Sequence, residues 1–307
     1  MSLQETSEIT IEDREALCRA VKSLEHPSLA ARLTNIVGSF PWAQTMGTNL
    51  SPARITAIAR RVGSSLLAAG VNVDLAPVLD VDGRATVPSA TNPDGLRSFG
   101  GSPGLVTTDG LAFERGLNES HVVSVVKHFP GLGGASGNTD DATARTKPWS
   151  VLQSSGLVPF ERAIAGGAAA VMVSNASVPG LTALPATLSP VVVNELRDTL
   201  GFSGLIVTDA LSAGAISAIH LSEPEAMVQA LQAGDDLLLN GSPGTAATSL
   251  ALAHADARAI VTAVTKGSLA RSTLVAAAAQ VLATRNVLSC ANGPASTTST
   301  STTTTTS

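Results

Sequence analysis

The chain has 307 residues, of which 44% are hydrophobic and 14% are charged, well below the roughly 25% charged residues of an average globular protein. This length fits one large α/β barrel or two smaller domains. A formal net charge of −5 gives no support for a nucleic-acid partner, since such proteins present basic patches. No apolar run reaches the roughly 18 residues of a membrane-spanning helix, so we expect none.

Cys18 and Cys290 lack the spacing of metal ligands, and we predict neither a metal site nor a cofactor.

In chain order, a polar segment with helical spacing covers residues 1–32, and alternating strand and helix patterns follow over 33–290. Apolar runs predict strands at 71–81, 122–129, 168–174, 205–208 and 236–240. Amphipathic stretches predict helices at 51–69, 107–117, 149–165, 190–200, 224–233 and 246–288. Residues 291–307 are almost wholly Ser and Thr, cannot bury apolar area, and are predicted to be a disordered tail.

Polar side chains follow the predicted strands at their carboxyl ends. They are Asp80, Lys127 with His128, Asn175, Asp209 and Asn240. Barrels of the (β/α)₈ type build their sites from the ends of several strands. A doubly wound fold would instead concentrate its signature in one glycine-rich turn, and GLGGASG at 131–137 does not match GxGxxG. The sequence therefore predicts a TIM-like (β/α)₈ barrel.

Four motifs in order resemble the catalytic barrel of glycoside hydrolase family 3, in its β-N-acetylglucosaminidase-like branch. They are VDLAPVLDVDG (73–83), LRSFG (96–100), KHFPG (127–131) and GLIVTDALSAGAI (204–216). The resemblance implies a carbohydrate substrate and a retaining exo-β-glycosidase that forms a covalent glycosyl–aspartate intermediate. The expected substrates are β-N-acetylglucosaminides or related cell-wall sugars.

The resemblance also implies roles for particular residues. Asp209 stands at the position of the family's nucleophile, although an Asp at a strand–helix turn is also a common helix cap. We assign substrate binding to Asp80, Arg97, Lys127, His128 and Asn175. Arg offers a rigid fork of donors and Lys a compact charge, both suited to sugar hydroxyls. Asp80 has an alternative role as an anchor for loop amides.

The loop after KHFPG departs from the branch at its acid/base. The branch carries an Asp-x-His pair there, whereas this chain has Asn138 and Asp140, and no histidine lies between His128 and His220. Asp140 replaces the histidine as a carboxylic acid if an apolar pocket raises its pKa. Asp141 is the alternative, and in a third interpretation both are solvated loop acids.

A second departure lies before Leu33, where nothing resembles the branch's Asp-x-Glu-Gly-Gly segment. The barrel is therefore expected to be incomplete or altered at its N-terminal strands. Such a barrel exposes strand edges, which a homo-oligomer could cover.

Two other functions remain open from the sequence. The chain could be a catalytically weak sugar-binding or structural remnant of the barrel. It could also be an aldolase that uses Lys127 as a Schiff base, which requires a desolvated lysine of lowered pKa. For the compartment, the Ser/Thr-rich tail favours a secreted or wall-associated protein over a cytoplasmic one.

Overall fold

A computed structural model describes residues 34–241 and 245–290, so our predictions for 1–32 and for the tail at 291–307 lie outside the described residues. Within these ranges no helix is both long and apolar enough to cross a membrane. The helices are α1 (Thr34–Val37), α2 (Ala43–Asn49), α3 (Pro52–Ala68), α4 (Pro103–Glu119), α5 (Trp149–Leu152), α6 (Val158–Ala165), α7 (Pro190–Asn194), α8 (Gly214–Ser217), α9 (Glu223–Ala233), α10 (Ala246–Thr265) and α11 (Arg271–Cys290). Single 3₁₀ turns lie at Gly95–Arg97 and Ala186–Leu188, and a π turn at Glu195–Thr199 extends α7.

Four parallel strands form the sheet, in the order β1-β2-β3-β4. The strands are β1 (Val73–Asp74), β2 (Val123–Phe129), β3 (Ala170–Val173) and β4 (Leu205–Thr208). A parallel bridge between Val207 and Leu237 continues the sheet beyond β4. Every residue of β2, β3 and β4 is buried, as expected for parallel strands that are covered on both faces.

Alternate residues of the strands enter two apolar clusters, because successive side chains point to opposite faces of a sheet. One cluster joins Val126, Val171 and Ile206 to the helical layer that includes α3, α4 and α6. The other joins Val125 and Met172 to further strand residues and to Val281 of α11. Among the described residues the sheet has four strands, extended by isolated parallel bridges such as that at Leu237, rather than eight strands. The fold is therefore the incomplete form of the predicted α/β barrel.

The element bounds differ from the sequence prediction in three places. The run at 71–81 is a strand only at Val73–Asp74 and pairs again through a bridge between Val78 and Lys127; Pro77, between them, has no N–H to donate. The predicted strand at 236–240 is reduced to the bridge at Leu237. The long helix predicted at 246–288 is divided into α10 and α11 by a turn that contains Gly267, whose φ is +75°.

Candidate functional site

The carboxyl ends of the strands are tied together by main-chain hydrogen bonds. The Leu79 N–H donates to the Lys127 carbonyl at 2.6 Å, and the Ser174 N–H donates to the Phe129 carbonyl at 2.9 Å. The Asp209 N–H likewise donates to the Val173 carbonyl at 2.9 Å. The side chains that follow β1, β2 and β4 therefore emerge at one edge of the sheet, where parallel strands end together.

His128 and Asp80 form a buried hydrogen-bonded pair at this edge. The His128 Nδ1–H donates to Asp80 Oδ2 at 2.6 Å, and the Asp80 carboxylate also accepts the Leu132 N–H at 2.6 Å and the His128 N–H at 3.2 Å. Burial lowers the pKa of His128 to about 3, so the ring is neutral at physiological pH. Its Nε2 then has a free lone pair, which Arg97 Nη2 approaches to 3.4 Å. Asp80 thus does anchor loop amides, and it also fixes the ring of His128.

Lys127 is buried, with 8% of its surface exposed, and lies in the field of three carboxylates. Burial lowers the pKa of its ammonium group to about 8, with a further lowering by Arg97, while Asp209, Asp74 and Asp80 oppose the change. At neutral pH the side chain therefore keeps most of its positive charge. The peptide bond between Lys127 and His128 is cis.

Asp209 follows β4 and is half-buried, and its Oδ1 accepts the N–H of Ala210 at 2.8 Å. Asn175, at the end of β3, is buried and donates its Nδ2–H to the Ala210 carbonyl at 2.7 Å. The Oδ1 of Asn175 is buried and has no hydrogen-bond partner among the described residues. Asn175 therefore stabilises the backbone that presents Asp209, and one of its acceptor atoms is unused.

The structure brings most of the predicted site residues into one electrostatic environment. Asp209 raises the pKa of both Lys127 and His128, and Arg97 lowers both, so these four side chains lie within range of one another. Asn240 is different, because its Nδ2–H donates to Asp256 of α10 at 2.6 Å.

Asp140 lies on a loop that docks against the residues after β4, and its side chain is exposed. The Gly214 N–H donates to the Asp140 carbonyl at 2.9 Å, and the Ala215 N–H donates to the Thr139 carbonyl at 2.9 Å. Asn138 Oδ1 accepts the Asp140 N–H at 3.1 Å. Asp141 is exposed as well. The loop backbone is thus fixed next to α8, while neither carboxyl lies in an apolar pocket.

Two buried acids at the site were not predicted from the sequence. Asp74 of β1 is fully buried near Lys127, and burial raises its pKa to about 6. Asp94, three residues before Arg97, is also fully buried, and burial together with the charge of Asp80 raises its pKa to about 8. Asp74 was visible as an acid inside an apolar run, whereas nothing local to Asp94 distinguishes it from a solvated loop acid.

Asp80, Asp94 and His128 each place one ligand-type atom within 4.8 Å of the others, which is the geometry of a candidate cation site. The ring nitrogen Nδ1 and Asp80 are already bonded to each other, and Arg97 lies against the other ring nitrogen. A cation would have to displace that bond and accept a neighbouring guanidinium charge. We therefore assign no metal to this cluster.

Beside Arg97 lies a cavity of about 250 Å³ with a mainly apolar lining. Its lining includes Phe40, Trp42, Leu75 and Val78. Polar groups from several parallel strand ends, next to an apolar recess, define the class of site: the ligand site of an α/β barrel.

The comparisons with known proteins identify the family. Residues 24–284 match the description "Glycosyl hydrolase family 3 N terminal domain", and the chain belongs to glycosyl hydrolase family 3. The resemblance of the four motifs and the fold that it implied are thereby confirmed.

Two relatives illustrate the similarity in sequence. The chain is 34% identical over 227 residues to "Beta-hexosaminidase LpqI" of Mycobacterium tuberculosis. The aligned region covers 72% of this chain and 58% of that protein. It is 34% identical over 256 residues to an "Uncharacterized secreted glycosyl hydrolase" of Arthroderma benhamiae, which covers 80% of this chain and 69% of that protein. The chain therefore spans little more than half the length of LpqI.

Solved structures agree with this assignment. A glycosyl hydrolase of the same family from Mycobacterium smegmatis superposes with a TM-score of 0.74 at 35% identity, covering 82% of this chain and 75% of that one. A family 3 β-N-acetylglucosaminidase from Paenibacillus gives a TM-score of 0.72 at 32% identity, covering 87% of this chain and 49% of that one.

Proposed function

We propose that the chain is the catalytic barrel of a retaining exo-β-glycosidase that acts on terminal β-N-acetylglucosaminides or related cell-wall sugars. The observation that carries the proposal is the position of Asp209. Its half-buried carboxylate follows β4 within the field of the cationic Lys127 and the neutral His128. The relatives named β-hexosaminidase and β-N-acetylglucosaminidase support the choice of sugar.

In this mechanism Asp209 attacks the anomeric carbon, and the bond to the leaving-group oxygen breaks as that oxygen is protonated. Asp140 is the proposed acid. As the deprotonated base it then takes a proton from the water that hydrolyses the glycosyl–aspartate ester. Asp140 is exposed in the free protein, so this role requires that bound substrate shields it from water. Asp141 stands as the alternative acid on the same loop.

The other predicted residues bind the sugar or support the residues that do. His128 offers the lone pair of Nε2 to a sugar hydroxyl, because its Nδ1–H is committed to Asp80. Arg97 and Lys127 offer donors, whereas Asn175, whose Oδ1 is buried, supports the Ala210 backbone beside Asp209. Asp80 acts through His128 rather than by direct contact, because its side chain has no exposed surface and its carboxylate faces three protein N–H groups.

A panel of nitrophenyl β-glycosides tests the proposal, with the N-acetylglucosaminide, glucoside and xyloside compared in wild type and in Asp209→Asn. We expect the highest kcat/KM with the N-acetylglucosaminide. In the variant we expect a loss of roughly 10³-fold or more, because the covalent step is removed. If wild type turns over no substrate faster than the variant does, the chain is the sugar-binding remnant.

The aldolase alternative is favoured by one observation. Lys127 is buried and its pKa is lowered to about 8, which is the condition that a Schiff-base lysine requires. Family membership and the neighbouring Asp209 favour sugar chemistry over this function. Borohydride reduction in the presence of a carbonyl substrate decides the matter, because only an aldolase would acquire a stable adduct on Lys127.

As to location, we propose a secreted or wall-associated protein. The support is the similarity to a relative that is described as secreted.

A further inference from the structure

Asp94 is a buried acid for which the proposed mechanism has no role. Its side chain has no exposed surface, and neither of its carboxyl oxygens has a hydrogen-bond partner among the described residues. A buried carboxylate without a donor is strongly destabilising, whereas a protonated carboxyl can donate to a neighbour. The surroundings of Asp94 therefore decide which form is present.

An acceptor for such a proton lies next to Asp94. One oxygen of Asp94, one oxygen of Asp80 and one ring nitrogen of His128 lie within 4.8 Å of one another. The Asp80 carboxylate has about four lone-pair sites and accepts three protein N–H groups, from the Leu132 main chain and from the main chain and ring of His128. The His128 main-chain N–H is shared between the two oxygens at 3.2 Å each, so one of these two long contacts can give way to a further donor.

The loop of Asp94 also carries Arg97. The Asp94 carbonyl accepts the Arg97 N–H at 2.9 Å in the 3₁₀ turn, and Arg97 Nη1 donates to the Pro93 carbonyl at 3.0 Å. Asp80 lies outside this loop, in the segment that follows β1, and its carboxylate fixes the ring of His128. A hydrogen bond between the two carboxyls would link the loop that presents Arg97 to the strand end that presents His128.

We propose that Asp94 is a positioning residue: it holds one proton in a shared carboxyl pair with Asp80 and so keeps Arg97 and His128 in their sugar-binding arrangement. The expected effect on substrate binding rests on the proposed function, whereas the shared proton does not depend on it. The pair carries a single negative charge opposite the Arg97 guanidinium. Loss of the proton places two buried anions side by side.

The charges around Asp94 support this state. Burial is the main cause that raises the pKa of Asp94 to about 8, and the negative charge of Asp80 adds to it. Asp82 raises this pKa further, whereas His128 and Arg97 oppose the change. Asp94 is therefore the member of the pair that keeps the proton at neutral pH, since burial raises the pKa of Asp80 only to about 6.

The first test measures unfolding in urea at pH 5, 6 and 7 for wild type, Asp94→Asn and the exposed control Asp198→Asn. Asp94 ionises near pH 3.8 when unfolded but near 8 when folded, so wild type loses stability as pH rises through this window. The asparagine keeps a donor and cannot ionise. We expect the ratio of the unfolding constants, wild type over Asp94→Asn, to rise by up to about tenfold per pH unit. A ratio that stays constant, as expected for Asp198→Asn, overturns the proposal.

The second test follows nitrophenyl N-acetylglucosaminide hydrolysis. Asp94→Ala removes the donor and should raise KM roughly tenfold with little change in kcat, whereas Asp94→Asn should keep a KM close to wild type. Above pH 8 the KM of wild type should rise more steeply than that of Asp94→Asn, in which only the loss of the Lys127 charge remains. If both variants raise KM equally and keep the pH dependence, Asp94 is only a packing residue. If wild type has no activity, the proposed function fails, and the urea experiment still decides the shared proton.

Discussion

At the scale of single residues, the acid/base role of Asp140 predicts a dependence on the leaving group. In Asp140→Ala we expect hydrolysis of an unactivated disaccharide to fall by about 10²–10⁴-fold, because the leaving oxygen is no longer protonated. A nitrophenyl glycoside needs little protonation, so glycosyl transfer to Asp209 should be less affected. Steady-state kinetics with both substrates measures this difference.

Azide provides the control for the second half of the mechanism. Azide attacks the glycosyl–aspartate without a general base, so it should restore turnover in Asp140→Ala and yield a β-glycosyl azide. Asp141→Ala is the matched control and should keep wild-type kinetics. Wild-type kinetics for Asp140→Ala on the disaccharide would show that Asp140 is a loop acid.

Some residues of the site were predictable from the sequence and others were not. Asp209, Lys127 and His128 follow apolar runs directly, and a strand that ends in a parallel sheet places such residues at the site edge. Asp94 was missed because its burial is set by packing between a loop and a distant strand end. The partners of Asp80 were missed for the same reason, since Leu132 is 52 positions away in sequence.

At the scale of elements, the close contact between α8 and the Asp140 loop predicts the effect of one added methyl group. A Cβ on Gly214 would meet the backbone carbonyls of Asp140 and Asp141 well inside contact distance. Because backbone must then shift, Gly214→Ala should destabilise the fold by about 1–3 kcal/mol and displace the loop. We expect the loss of kcat to be larger for a disaccharide than for a nitrophenyl glycoside.

Gly104→Ala in α4 is the matched control, since a Cβ there meets no atom within 4 Å. It should leave both kinetic constants and the urea midpoint close to wild type. Equal kinetics of Gly214→Ala and wild type on the disaccharide would mean that the position of the loop does not matter for catalysis.

The existence and order of the elements could be predicted more reliably than their bounds. The apolar runs at β2, β3 and β4 predicted strands correctly, because parallel strands that are buried on both faces consist mainly of apolar residues. The apolar run at 236–240 formed only a bridge at Leu237. An apolar pattern does not specify how many main-chain hydrogen bonds the neighbouring strand makes.

At the scale of the whole molecule, buried acids predict an unusual dependence of stability on pH. Burial raises the pKa of Glu114 to about 7, that of Asp94 to about 8 and that of Asp235 well above its usual value. An acid with a raised folded pKa loses stability as pH rises from its unfolded to its folded value. The pKa values of His128 and Lys127 are lowered, so these two residues make stability rise with pH instead. The effect of His128 lies below about pH 6.5, and that of Lys127 lies above about pH 8.

The window between pH 6.5 and 8 therefore isolates the acids. We expect the free energy of unfolding to fall by about 2 kcal/mol across it from Asp94 and Glu114 together, and further from Asp235, measured by urea titration at constant ionic strength. Glu114→Gln should make the fall below pH 7 less steep, since Asp94 and Asp235 still contribute there, and should leave the slope near pH 8 unchanged. Stability that rises across the window would mean that these carboxyls are ionised in the folded protein.

A mechanism-based fluorosugar of the N-acetylglucosaminide series tests whether Asp209 forms a covalent glycosyl intermediate. Intact-mass measurement followed by peptide mapping locates any adduct. We expect one sugar per chain, attached to Asp209, and no adduct in Asp209→Asn. An adduct on another residue, or hydrolysis of the nitrophenyl substrate by a protein that is never labelled, would contradict this role of Asp209.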